Sequence, residues 1–134
     1  MKFNSQICTT RVQSERLIAL GVKEETADMG IYYSELYGVD RVFPNDVFNE
    51  TPTFDSDEIP AWSLGRLWEL LPKNIWHDDG LERKFHPIIE YNEVNYTTEC
   101  GSLLFEYGKE LWESMLTTIE WLIKEGYFNK EYLV

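Results

Sequence analysis

Apolar positions recur along this chain with helical spacing in three places and with strand spacing in one. Residues 11–20 follow Thr10, a plausible N-cap with Gln13 three positions on, the pattern of a capping box. Val12, Leu17 and Leu20 fall on roughly one side, and Gly21 is placed to end the helix. A second short helix is expected over 23–29, stopped by Gly30. Ser63 caps the next helix, in which Leu64, Leu67, Trp68 and Leu71 follow the i, i+3, i+4, i+7 rule until Pro72 ends it. The strongest pattern covers 109–125. There Leu111, Trp112, Met115, Leu116, Ile119, Leu122 and Ile123 share one face, with Lys124 in the last turn and Gly126 as the cap.

Between these helices the spacing changes. Ile31, Tyr32 and Tyr33 favour a strand, and Gly38 and Pro44 punctuate the run over 31–44. Residues 85–91 are β-rich, and Val94, Tyr96 and Thr98 alternate with polar neighbours. The two runs read as an antiparallel hairpin turning at Asn92–Glu93. The expected fold is therefore a small α+β domain over 1–134, with at least three helices and the long C-terminal helix packed on the hairpin. Each of those two offers one apolar face that it cannot bury alone. Residues 45–58 hold Asp46, Glu50, Asp55, Asp57 and Glu58 with no basic residue, and read as a solvated acidic loop.

Charge narrows the function classes. Twelve basic residues stand against 24 acidic ones, a formal charge of -12 carried by both halves of the chain. Such a field keeps a protein soluble, repels nucleic-acid phosphates and anionic lipid, and attracts basic proteins. Residues 10–30 suggest a helix-turn-helix, but the second helix would carry Glu24, Glu25 and Asp28 against Lys23, the wrong sign for a DNA groove. No apolar run reaches the roughly 18 residues that span a membrane. Nothing at the N-terminus resembles a signal peptide, so the cytoplasm is the expected location. Cys8 and Cys100 lack the nearby second ligand of a zinc knuckle, and neither a disulfide nor a metal is expected.

Chemistry is sparse. His77 and Asp78, with His86 beyond, are the best catalytic candidates, since a histidine beside a carboxylate can act as a base. The nine-residue separation of the two histidines suits neither a helix face nor a strand face, and Asp78-Asp79-Gly80 is ordinary turn chemistry. There is no nucleophile elbow and no Gly-rich phosphate loop, so no cofactor is expected. Aromatics make up 15% of the chain and belong in a core or an interface. Trp121 lies opposite the apolar stripe of the last helix and needs a cover, either the chain's own tail or another chain.

Residues 8–29, 59–72 and 121–126 resemble segments of short uncharacterised proteins of gut Bacteroidetes, often prophage- or mobile-element-encoded. The resemblance implies a bacterial cytoplasm and brings no activity or site residues. The functional expectation is a non-enzymatic acidic interaction or regulatory module acting on a basic partner or as a homo-oligomer, with Trp121, Asp55, Asp57 and Glu58 as candidate contacts. A sharper form is a DNA mimic with two rows of carboxylates. The alternative is a small enzyme or ligand-binding domain built on residues 77–86.

Overall fold

A computed structural model of the chain describes residues 6–44, 54–78, 82–90, 92–98, 101–103 and 110–134. Among the described residues, three α-helices and two antiparallel sheets make it an α+β protein. The chain divides into two compact units, residues 1–68 with 131–134, and residues 69–130.

The first unit begins with α1, Arg11–Ala19, and its capping box is complete. The Thr10 hydroxyl accepts from the Gln13 amide while the Gln13 side chain accepts from the Thr10 amide. Gly21, at φ 93°, ends it in the left-handed region. Its buried face differs from the expected apolar one. Leu17 is buried with Gln13 and Ser14, whereas Val12 is 75% exposed. The polar pair is accommodated because both have partners: Gln6 donates to Gln13, and Ser14 shares a hydrogen bond with Thr9.

The expected second helix is only a 3-10 turn, Glu24–Thr26. Met29 instead opens β1, Met29–Ser34, which pairs antiparallel with β2, Val39–Pro44, and β3, Glu58–Ala61. Gly30 is thus a strand residue rather than a helix stop, and the ring of Phe43 occupies the space where its side chain would be. Glu58, read as loop, pairs with Tyr32 at the start of β3. Residues 45–53 of the expected acidic loop lie outside the described residues.

Buried Trp62 holds the unit together. Its amide donates to the Thr9 hydroxyl (3.0 Å), and its carbonyl accepts from the Thr9 amide (2.9 Å). Its indole N–H donates to the Thr26 hydroxyl (2.9 Å), which donates to the Lys23 carbonyl. Ser63 caps α2, Leu64–Leu70, through its hydroxyl, and Asp28 accepts from both the amide and the hydroxyl of Ser63. The chain's end returns to this unit, where Lys23 donates to the Tyr132 carbonyl and Val134 to the Gly21 carbonyl.

The second unit carries the strand order β4-β5-β6-β7. These are β4, Ile75–Asp78; β5, Glu82–Glu90; β6, Glu93–Thr98; and β7, Gly101–Leu103. The expected hairpin is β5–β6, with Glu93 already inside β6 and paired to Glu90 rather than in the turn. Two strands were not expected from the pattern. β4 includes His77 and also Asp78, which reads as a turn residue, and β7 extends the far edge. Pro87 is tolerated because β4 pairs with residues 82–85, and among the described residues only β6 pairs with β5 at Pro87.

The final helix, α3, Leu111–Lys124, packs against β6 and ends at Gly126, φ 79°. Met115, Leu116, Ile119 and Leu122 are fully buried. Ser114 donates to the Asn92 carbonyl at the hairpin turn (2.6 Å). No helix among the described residues is long and apolar enough to cross a membrane.

Candidate functional site

The most exposed apolar surface of the described residues lies on the β1–β2 hairpin. Tyr32, Tyr33, Leu36, Tyr37, Val39 and Val42 are all exposed, Leu36 by 84% and Tyr37 by 63%. The turn that presents them is tightly held. Gly38, at φ 65°, donates to the Ser34 carbonyl (2.7 Å), and the Ser34 hydroxyl accepts from the Tyr37 amide. Gly38 tolerates this conformation because it has no Cβ. A tip of two large apolar residues on a rigid turn is unusual for a free surface.

The two faces of the hairpin differ. On one, the Tyr32 and Phe43 rings meet at 5.9 Å, and the Arg41 guanidinium lies 4.7 Å from the Tyr37 ring centre. On the other, Ile31 packs with Cys8 and Ala61, against which Met29 and Ile59 also lie. Here a cleft of about 310 Å3 opens between residues 6–10 and the sheet, lined among others by Ile7, Cys8, Ile31, Asp40 and Val42. Its charged wall is occupied internally. Arg11 donates to both carboxylate oxygens of Asp40, at 3.1 and 2.8 Å. That bidentate bond holds the Asp40 carboxyl below the usual carboxylate range.

Cys8 is the cleft's only thiol among the described residues. Burial, and secondarily the charge of Asp28, pushes its pKa up to about 11. It therefore stays protonated at neutral pH and is a poor nucleophile. Cys100 lies outside the described residues.

The residues singled out from sequence fall in separate places. His77 pairs with Arg83 and Asp78 with Glu82, whereas His86 pairs with Thr97 and is exposed. His86 stands three strand positions beyond Arg83, roughly 10 Å along β5 at the usual rise per residue. Asp55, Asp57 and Glu58 do come together, with carboxylate oxygens within 4.8 Å of one another. Glu58 accepts from the Asp55 amide, and its carboxyl lies above its ordinary value, first through desolvation and then through its acidic neighbours. Asp55 and Asp57 are exposed, and three carboxylates of this kind are common on acidic surfaces. Trp121 is half-buried and covered from within its own unit, its ring 5.5 Å from that of Tyr127. The Tyr132 carbonyl accepts from the Lys23 amide.

Sequence reasoning missed the hairpin surface, because strand-forming aromatics read equally as core. Leu36-Tyr37-Gly38 was the available signal, two large apolar residues immediately before a turn glycine. Trp76, 62% exposed on the edge strand β4, is a second aromatic that composition assigned to burial. No protein-family model, curated protein or solved structure matches the chain.

Proposed function

We propose that this chain is a non-enzymatic protein-interaction module whose contact surface is the β1–β2 hairpin. The observation that carries the reading is the exposed set Tyr32, Tyr33, Leu36, Tyr37, Val39 and Val42 on one hydrogen-bonded hairpin. Aromatics on a pre-ordered turn supply contact area at little entropic cost, which is the usual make-up of an interface anchor. The charge of -12 favours a basic partner and speeds its approach. In this account α3, packed against β6, serves as scaffold. Asp55, Asp57 and Glu58 contribute to the attracting field rather than to chemistry.

The test compares proteins retained from the native host by the wild-type chain, by Leu36→Asp/Tyr37→Ser, and by Trp76→Ser. Each variant is first checked for an unchanged circular dichroism spectrum and melting temperature. A protein retained by wild type and Trp76→Ser but lost by the hairpin variant supports the reading. Equal retention by all three contradicts it.

A further inference from the structure

We infer that β2 receives an extended, basic segment of a partner protein as an added strand, with alternate apolar side chains of that segment entering the cleft beside Cys8. The inference rests on the hairpin being the contact surface. It deepens that reading by naming the mode and chemistry of the partner.

The sheet order β2-β1-β3 leaves β2 at the edge, and among the described residues no strand pairs with its outer side. Natural edge strands are usually guarded by central charges, prolines or bulges. Here both central charges are turned to internal partners. Asp40 is held by Arg11 and Arg41 lies over Tyr37. Pro44 stands only at the strand's last position. The remaining edge offers Val39 and Val42, both exposed.

The cleft involves the same edge strand, its lining including Asp40 and Val42 of β2 together with Ile31 of β1 and Ile7. Strand addition beside a cleft is a general recognition mode, in which main-chain bonds supply affinity and every second side chain is read by the cleft. The lining sets the chemistry: aliphatic groups from Ile7, Ile31 and Val42 accept a branched apolar side chain.

A second copy of this chain fits the edge poorly. A two-fold axis normal to the sheet keeps each side chain on its own face, so an antiparallel self-pair must be centred on a residue and its copy. Centring at the middle of β2 opposes Asp40 to Asp40 or Arg41 to Arg41. Moving the centre to Val42 sets Pro44, which has no N–H, opposite Asp40. Two bodies of charge -12 also repel. A basic segment is free of the two-fold constraint on register and of the repulsion between two acidic bodies, and the net charge of -12 attracts it.

The probe is a capped peptide of alternating lysine and valine about eight residues long, enough to span a strand of ordinary length. It is titrated into isotope-labelled full-length chain while backbone amide shifts are followed. Two controls are the glutamate–valine analogue and lysine–valine peptides N-methylated at alternate residues, in both phases. The expected result is saturable shifts over β2 and at Cys8 and Ile31. At least one N-methylated phase should bind about tenfold or more weakly, because its ladder bonds are lost. The glutamate analogue should not saturate. Val42→Gln, checked for an unchanged melting temperature, should weaken the lysine–valine peptide without abolishing edge pairing.

Three results overturn the inference: no saturable binding of the lysine–valine peptide, equal binding of both N-methylated phases, or shifts confined to Leu36 and Tyr37. A concentration-dependent rise in the solution mass of the chain alone, with β2 amides protected, assigns the edge to a second copy and also overturns it. All four leave the retention experiment free to succeed, so failure of strand addition is distinguishable from failure of the interaction reading.

Discussion

The Phe43 ring lies directly over Gly30, where β1 and β2 are paired. A Cβ at position 30 would run into that ring. Phe43 is only half-buried and can swing outward, so the clash is relieved at moderate cost. Gly30→Ala should destabilise by roughly 1–2 kcal/mol, within the range for overpacking. In a Phe43→Ala background the same change should be neutral or stabilising by about 0.5 kcal/mol, because alanine then only restricts the unfolded chain. Denaturant midpoints of the four proteins check the cycle.

The buried stripe of α3 carries the second unit. Leu116→Ala and Ile119→Ala, each at a position with no solvent exposure, should cost about 2–5 kcal/mol apiece. Changes within about 0.5 kcal/mol at both positions, the range for surface sites, would mean that this face is not core.

How much was legible in the sequence depends on how local each signal is. The Thr10–Gln13 box, Gly21, Ser63, Gly126 and the Met115, Leu116, Ile119 and Leu122 part of the α3 stripe are specified by residues within a turn or two and appear where the sequence places them. Leu111, Trp112 and Ile123, by contrast, are only half-buried, and Ser114 and Thr118 are buried in the same helix. Gly30 failed because a glycine after a helical run reads as a stop, while its actual role depends on Phe43, thirteen positions away in sequence. The polar buried face of α1 depends on Gln6 and Thr9, which no periodicity reports. β4 is too short for its pattern to outweigh Asp-Asp-Gly turn chemistry. The exposed hairpin was hidden for a different reason. Alternation identifies a strand, but which faces meet water is decided by what the rest of the chain covers.

Cys8 makes stability depend on pH in the alkaline range. Its thiol titrates at about 11 when folded, against an ordinary 9.0. Between these values the unfolded chain releases a proton that the folded chain keeps, so stability falls as pH rises through this window. Burial also pushes the Tyr96 phenol up, adding a loss of the same sign at still higher pH. Cys8→Ala should flatten the part between about pH 9 and 11, read from urea midpoints of both proteins. Equal slopes would show that Cys8 does not carry it.

The Arg11–Asp40 pair joins the first residue of α1 to β2 across a partly exposed surface. Arg11→Ala should cost no more than about 1 kcal/mol, and less in high salt. Because the folded Asp40 carboxyl titrates low, its contribution is present above the ordinary carboxylate range and is lost as pH falls through its folded value. Melting temperatures at two salt concentrations and across the acid range test both statements.

Tyr127 is the observed ring against Trp121. Tyr127→Ala should red-shift the fluorescence assigned to Trp121 by difference from Trp121→Phe, with the solution mass unchanged. An unshifted spectrum would mean that another group shields the indole.

The most direct test of the interaction account is hydrogen–deuterium exchange on the chain alone and in complex with the hairpin-dependent protein recovered from the host. The account predicts new protection concentrated over residues 32–42, with amides of β4 and α3 unchanged. Protection over β4 or α3 while residues 32–42 exchange as in the free chain would contradict it.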